Sequence, residues 1–169
     1  HGVDVAIRKG ETLGLVGESG SGKTTLARTI LRLTDPTMGK IVVWGKEISD
    51  LSDRAVRPLR SQMQMIFQDP TSSLSPRMKA SALLMEPYVI HNVPKSERKD
   101  PEELLSMVGL APEQLDKYPH QLSGGQARRL GIARALALEP DIIMADEPTA
   151  GLDVSVAAGL LNLLKDLRE

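Results

Sequence analysis

Gly17-Glu18-Ser19-Gly20-Ser21-Gly22-Lys23-Thr24 is the stretch whose reading decides the fold. It follows a short apolar run at residues 12–16 and precedes a helical pattern carried by Leu26, Ile30, Leu31 and Leu33. Glycine-rich loop, then Lys-Thr, between a strand and a helix is the arrangement that holds a nucleotide's phosphates. The glycines let the backbone approach a phosphate chain closely and aim successive N–H groups inward. A helix starting near Gly22 adds the positive end of its dipole to the same anion. Lys23 is expected to reach the β- and γ-phosphates, with Thr25 beside it, and the Thr24 hydroxyl to ligate Mg²⁺.

A chain of 169 residues suits one domain, or one domain with a subdomain, and can bury a substantial core. The net charge of −1 gives no global reason to expect a nucleic-acid partner. Without cysteine there is neither a disulfide framework nor a thiolate metal site, which is compatible with a reducing cytosol. No apolar run approaches the roughly 20 residues that span a bilayer, so a membrane role is expected to come through a partner. The chain opens at His1 almost in mid-element and ends in what reads as a continuing helix from Val154 to Glu169, so a fragment is expected.

Working outward, residues 3–7 alternate apolar and polar and read as a strand, residues 8–11 as a turn, and residues 12–16 as the strand feeding the loop. The helix at 22–33 stops before Thr34-Asp35-Pro36-Thr37-Met38-Gly39. Residues 40–44 read as a strand, 53–60 as a short helix, and 62–67 as another strand. From Gln68-Asp69-Pro70 to about Gln121 the composition shifts to Met, Leu, Ser and Pro, with helices at 78–85 and 102–108. The charged run at 95–100 between them reads as a solvated loop or helix start. A helix at 124–138 ends at Glu139-Pro140, and residues 141–145 form a short apolar strand ending in Asp146-Glu147. This order belongs to a parallel α/β nucleotide-binding core with helices inserted.

Two carboxylates at a strand end are costly without partners. Asp146 and Glu147 alternate to opposite sides, so Asp146 is expected on the metal side and Glu147 as the base that deprotonates an attacking water. Leu122-Ser123-Gly124-Gly125-Gln126 opens a helix with a serine and two glycines. On physics alone that is first a helix cap, and second an anion-binding N-terminus that would serve the nucleotide of another copy.

Residues 17–24, Gln68, residues 122–126, residues 142–147 and Gly151-Leu152-Asp153, in this order, resemble an ABC-type ATPase domain over essentially the whole chain. Leu-Ser-Gly-Gly-Gln is far more specific to that family than the phosphate loop. The resemblance implies an α/β P-loop NTPase core, a mixed and mainly parallel sheet flanked by helices, from residues 1–68 and 122–169. Residues 69–121 would form the helical subdomain. It implies ATP and Mg²⁺, with ATP sandwiched head to tail between residues 17–25 of one copy and Ser123, Gly124, Gly125 and Gln126 of another. Gln68 would sense the Mg²⁺ and the attacking water, and Asp153 would lie in the loop communicating between the two sites.

Met65-Ile66-Phe67-Gln68-Asp69-Pro70, Ser73-Leu74-Ser75-Pro76-Arg77-Met78 and Tyr118-Pro119-His120-Gln121 are similar to ATPases of dipeptide, oligopeptide and nickel importers. Ala150-Gly151 departs from the Ser-Ala common in that branch. The implied partners are a second ABC ATPase domain, membrane permease subunits and, indirectly, a solute-binding protein, at the cytoplasmic face of the inner membrane. The family's adenine-stacking aromatic and switch histidine have no counterpart here: nothing aromatic precedes Trp44, and His1, His91 and His120 are misplaced. The isolated chain is therefore expected to bind nucleotide weakly and turn it over little. A soluble ABC-type ATPase of DNA repair, translation or phosphonate metabolism would carry the same phosphate-handling residues, and an inactive fragment is the third alternative.

Overall fold

The computed structural model describes residues 2–68, 70–149 and 154–166. Among the described residues six helices and four strands succeed one another: α1 (Lys23–Ile30), β1 (Val42–Val43), β2 (Lys46–Glu47), α2 (Asp53–Val56), β3 (Met63–Ile66), α3 (Ala80–Ile90), α4 (Pro101–Met107), α5 (Gly124–Leu136), β4 (Ile142–Ala145) and α6 (Val154–Asp166). Short 3-10 turns connect several of them. β1 and β2 form an antiparallel hairpin, whereas β3 and β4 pair in parallel with Ile66 opposite Ala145. The parallel pair fixes the site, because both strands end at the same edge.

Two apolar clusters meet at β3. Its Met63 and Met65 join Leu31, Val43 and Ile48, while Ile66 belongs to the larger cluster built from α3, α4 and α5. In that larger cluster Leu83, Leu84, Leu104, Leu105 and Leu130 are all 0% exposed. Helix α5 packs against α3, α4 and β3 and so ties the helical region to the strands.

Two expectations need correction. Residues 3–7 and 12–16 are not strands: their apolar side chains are exposed, from Leu13 at 44% to Val16 at 95%. Alternation makes a segment competent for a sheet, but a strand needs a ladder partner. Among the described residues, the main-chain bonds of 2–22 to one another are local turns, Glu11 N–H to Arg8 O and Ser21 N–H to Glu18 O. The first helix of the inserted region is also displaced, running from Ala80 to Ile90 rather than over 78–85. Glu86-Pro87 reads as a stop, since proline removes a helix donor. The helix continues because Tyr88 is buried and its hydroxyl donates to Ala137 O at 2.6 Å. At 53–60 the expected helix begins as α2 and tightens into a 3-10 turn over Arg57–Ser61, which contains Pro58.

The charged run is both of the things expected of it. Asp100 caps α4 by accepting from Glu102 N–H at 2.8 Å, and Lys99 pairs with Glu139 at 2.7 Å. His91 follows α3 and borders a cavity of about 280 Å³ lined also by Met63, Ile90 and Arg134. Burial, reinforced by the Arg57 guanidinium, holds the imidazole below its ordinary range. A depressed folded value means that the unfolded chain binds the proton more readily. Its contribution is thus complete above about pH 6.5 and lost as pH falls through the folded value. Denaturant titrations from pH 7.5 down to about 5 should show a shallow decline in stability that His91→Asn flattens. An unchanged slope in that variant would contradict the assignment.

Candidate active site

The phosphate-loop sequence folds as its glycines require. Gly20 and Gly22 lie at φ +81° and +95°, in the left-handed region that glycine enters without strain. A Cβ on Gly17 would stand 2.8 Å from Ser21 Oγ, so a side chain there would make the serine hydroxyl turn aside. Gly22 caps α1, and the N–H groups of Lys23, Thr24 and Thr25 have no acceptor among the described residues. The Lys23 ammonium donates to Gly17 O at 2.8 Å and Glu18 O at 2.7 Å, which holds it across the loop. Glu18, Ser19 and Ser21 line the exposed turn, and Thr25 stands exposed at the first turn of α1.

The loop is tied to a strand end far along the chain. Thr24 Oγ1 donates to Asp146 Oδ1 at 3.0 Å, joining the first helix to the residue just past β4. The half-buried pair offers two hard oxygen donors. No group of three or more His, Cys, Asp or Glu residues that could hold a metal occurs among the described residues. Such a sparse donor set suits a small divalent cation that keeps waters and takes phosphate oxygens, rather than one caged by protein.

Beside that pair, Gln68 Nε2 donates to Glu147 Oε2 at 2.8 Å. Gln68 lies two residues past β3 and Glu147 two past β4, so parallel pairing brings them together. Asp146 is half-buried and meets Thr24, whereas Glu147 is exposed and meets Gln68. The Gln68 amide is engaged by Glu147 and not by the Thr24–Asp146 pair. Glu147 sits at φ +46°, a conformation costing a non-glycine residue of order 1–3 kcal/mol unless its surroundings impose it.

Sequence reasoning missed Arg128. Its side chain is on α5, the residue is 8% exposed, and Nη2 donates to Gln68 O at 3.0 Å and Glu147 O at 3.2 Å. The signal was available. Ala127, Leu130, Ile132, Ala133 and Leu136 make α5 a largely buried helix, and a cation inside such a run implies acceptors facing it.

At the start of α5, Ser123 Oγ accepts from Gln126 N–H at 3.2 Å and Gln126 Oε1 accepts from Ser123 N–H at 2.9 Å. Ser123 is thus the cap expected from the sequence, and Gln126 closes it into a reciprocal capping box. It leaves the N–H groups of Gly124 and Gly125 without acceptors among the described residues, and neither glycine has an atom within 4 Å of where a Cβ would stand. No hydrogen bond joins residues 123–126 to the 17–24 loop of the same chain among the described residues. Asp153 lies outside the described residues.

A model of the ABC transporter family matches residues 1–150. The chain is 48% identical over 171 aligned positions to the oligopeptide transport ATP-binding protein AppF of Bacillus subtilis, covering 99% of this chain and 52% of that protein. It is 51% identical over 169 positions to a putative peptide import ATP-binding protein of Brucella ovis, covering 99% of this chain and 53% of that one. It thus spans about half the length of these relatives. The solved dimeric structure of a post-hydrolysis state of the ATP-binding cassette MJ0796, bound to ADP and Pi, superposes with TM-score 0.87 at 33% identity. That match covers 98% of this chain and 72% of the cassette. The family match takes in the phosphate loop, the Gln68–Glu147 pair and the capped glycine helix alike, and the chain belongs to the ABC transporter family.

Proposed function

We propose that the chain is the ATP-binding and ATP-hydrolysing part of an ABC importer and that the imported solutes are di- and oligopeptides. The observation that carries this reading is the Thr24–Asp146 hydrogen bond at 3.0 Å with the Gln68–Glu147 bond beside it. Together they gather phosphate loop, metal donors and base at one edge. The names of the relatives, peptide and oligopeptide import proteins, support the choice of solute.

Gly17, Gly20, Gly22 and the N–H groups of Lys23, Thr24 and Thr25 cradle the phosphates, with Glu18, Ser19 and Ser21 completing the loop. Lys23 transfers its hydrogen bonds from the Gly17 and Glu18 carbonyls to the β- and γ-phosphates. Thr24 and Asp146 would hold Mg²⁺, and Gln68 would sense the ion and the attacking water. Bound there, the ion neutralises charge on the β- and γ-phosphate oxygens. Glu147 accepts a proton from water as that water's oxygen bonds to the γ-phosphorus; the bond to the β,γ-bridging oxygen breaks and ADP leaves. Gln68 orients the carboxylate and the water.

Ser123 and Gly125, in the stretch that Gly124 and Gln126 complete, contact the γ-phosphate held by a second cassette, arranged head to tail, and Asp153 belongs to the loop communicating between the two sites. Residues 1–68 and 122–169 form the nucleotide-binding core and residues 69–121 the helical subdomain that passes force to permease subunits. A solute-binding protein delivers the cargo to that permease, and the cassette sits at the cytoplasmic face of the inner membrane. No nucleic-acid partner is proposed.

Thr24→Val in the intact protein tests the metal assignment. A hydroxyl facing a charged group contributes about 1.5–3 kcal/mol, so affinity for ATP with Mg²⁺ should fall roughly 10- to 100-fold. Affinity for ATP in chelator should change little. Equal losses with and without Mg²⁺ would assign Thr24 to packing instead.

A further inference from the structure

Beyond the strand ends, the site is held by something other than the sheet. The last ladder bond between the two parallel strands is Asp146 N–H to Ile66 O at 2.9 Å. Past it, among the described residues, the main chains of Gln68 and Glu147 are joined through the Arg128 guanidinium, which donates to both carbonyls. Their side chains are joined to each other at 2.8 Å. A closed ring results: guanidinium, Gln68 backbone, Gln68 amide, Glu147 carboxylate, Glu147 backbone, guanidinium.

We infer that Arg128 is a positioning residue that sets the Glu147 carboxylate against Gln68 and couples both to the helix bearing Ser123-Gly124-Gly125-Gln126. The inference rests on the reading of Glu147 as the base. A guanidinium is suited to the task because it is permanently charged and presents two N–H bonds from a single terminal nitrogen in a fixed plane. The carbonyl oxygens of Gln68 and Glu147 help to compensate the buried cation, and the second of them belongs to a residue at φ +46°. Arg128 lies five residues after Ser123, about 7.5 Å along α5 at roughly 1.5 Å per residue. A shift of the capped end of α5 is therefore carried to both carbonyls at once. Turnover then responds to where the glycine-bearing helix end is held.

The test uses Arg128→Met, which keeps an apolar stem without donors, and Arg128→Lys, which keeps the charge, both in the intact protein. A misplacement of the reacting groups by about 1 Å can cost 100-fold, so Arg128→Met should lower kcat roughly 10- to 100-fold. KM for ATP should stay within about threefold, because ground-state binding is untouched. Arg128→Lys should recover part of kcat. Adding Gln68→Ala to Arg128→Met should reduce kcat little beyond the worse single variant, as expected of groups acting through one another.

A wild-type kcat in Arg128→Met would overturn the inference, as would losses in kcat and KM that simply follow a lowered thermal midpoint. If the Met variant does not fold, the Lys variant decides on the same terms: reduced kcat at unchanged KM supports the inference, and wild-type kcat refutes it. Glu147→Gln separates the two levels. Should that variant turn over normally, the base assignment fails and takes this inference with it. Should it be inactive while Arg128→Met remains active, only the role of Arg128 falls.

Discussion

Replacing Glu147 by Gln will leave the intact protein able to bind ATP and nearly unable to hydrolyse it. The substitution is isosteric, and a Gln side chain still offers a carbonyl oxygen to the Gln68 amide that now donates to Glu147 Oε2 at 2.8 Å. The backbone bond from Arg128 to Glu147 O is equally untouched. What disappears is the capacity to accept a proton from the attacking water. General-base catalysis contributes typically about 10²- to 10⁴-fold, or roughly 3–5 kcal/mol of barrier. Steady-state phosphate release should fall by that factor, and equilibrium binding of nucleotide should move by no more than about threefold. Turnover within a few fold of wild type would move the base elsewhere.

The second large effect concerns stability. Leu130 is 0% exposed and sits on α5 in the larger apolar cluster with residues of α3, α4 and β3. Leu130→Ala removes buried methyl groups and leaves a cavity where three helices and a strand meet. Such truncations cost about 2–5 kcal/mol, against a total native stability of order 5–15 kcal/mol. The denaturant midpoint should fall accordingly with little change in slope. Leu161→Ala, at a position 54% exposed, is the control and should stay within about 0.5 kcal/mol of wild type. Comparable effects from the two would mean that α5 is not the keystone of the core.

Legibility in the sequence followed the range of the physics. The phosphate loop, the start of α1, the β3 and β4 segments and the helix cap at Ser123 were readable because neighbouring residues determine them. The Thr24–Asp146 and Gln68–Glu147 contacts were anticipated only as members of one site, since their geometry depends on parallel pairing across the chain. Residues 3–7 and 12–16 carry the local signature of strands without a ladder partner, and local pattern cannot report a partner. Helix α3 runs on past Pro87 because Tyr88, anchored on Ala137 O, outweighs a local stop signal. Arg128 could be suspected as a cation within the apolar run of α5, but its acceptors, the carbonyls of Gln68 and Glu147, come from distant strand ends that local pattern does not place.

The proposed mechanism requires that the loop at 17–24, Asp146, Gln68 and Glu147 act on one nucleotide. Phosphate release from ATP by the intact protein, followed while Mg²⁺ is titrated in and then removed with chelator, tests it most directly. Release should rise with Mg²⁺ to saturation, stop on chelation and return when the ion is restored. Release that ignores the chelator, or tight ATP binding with no release at any Mg²⁺ concentration, would contradict it.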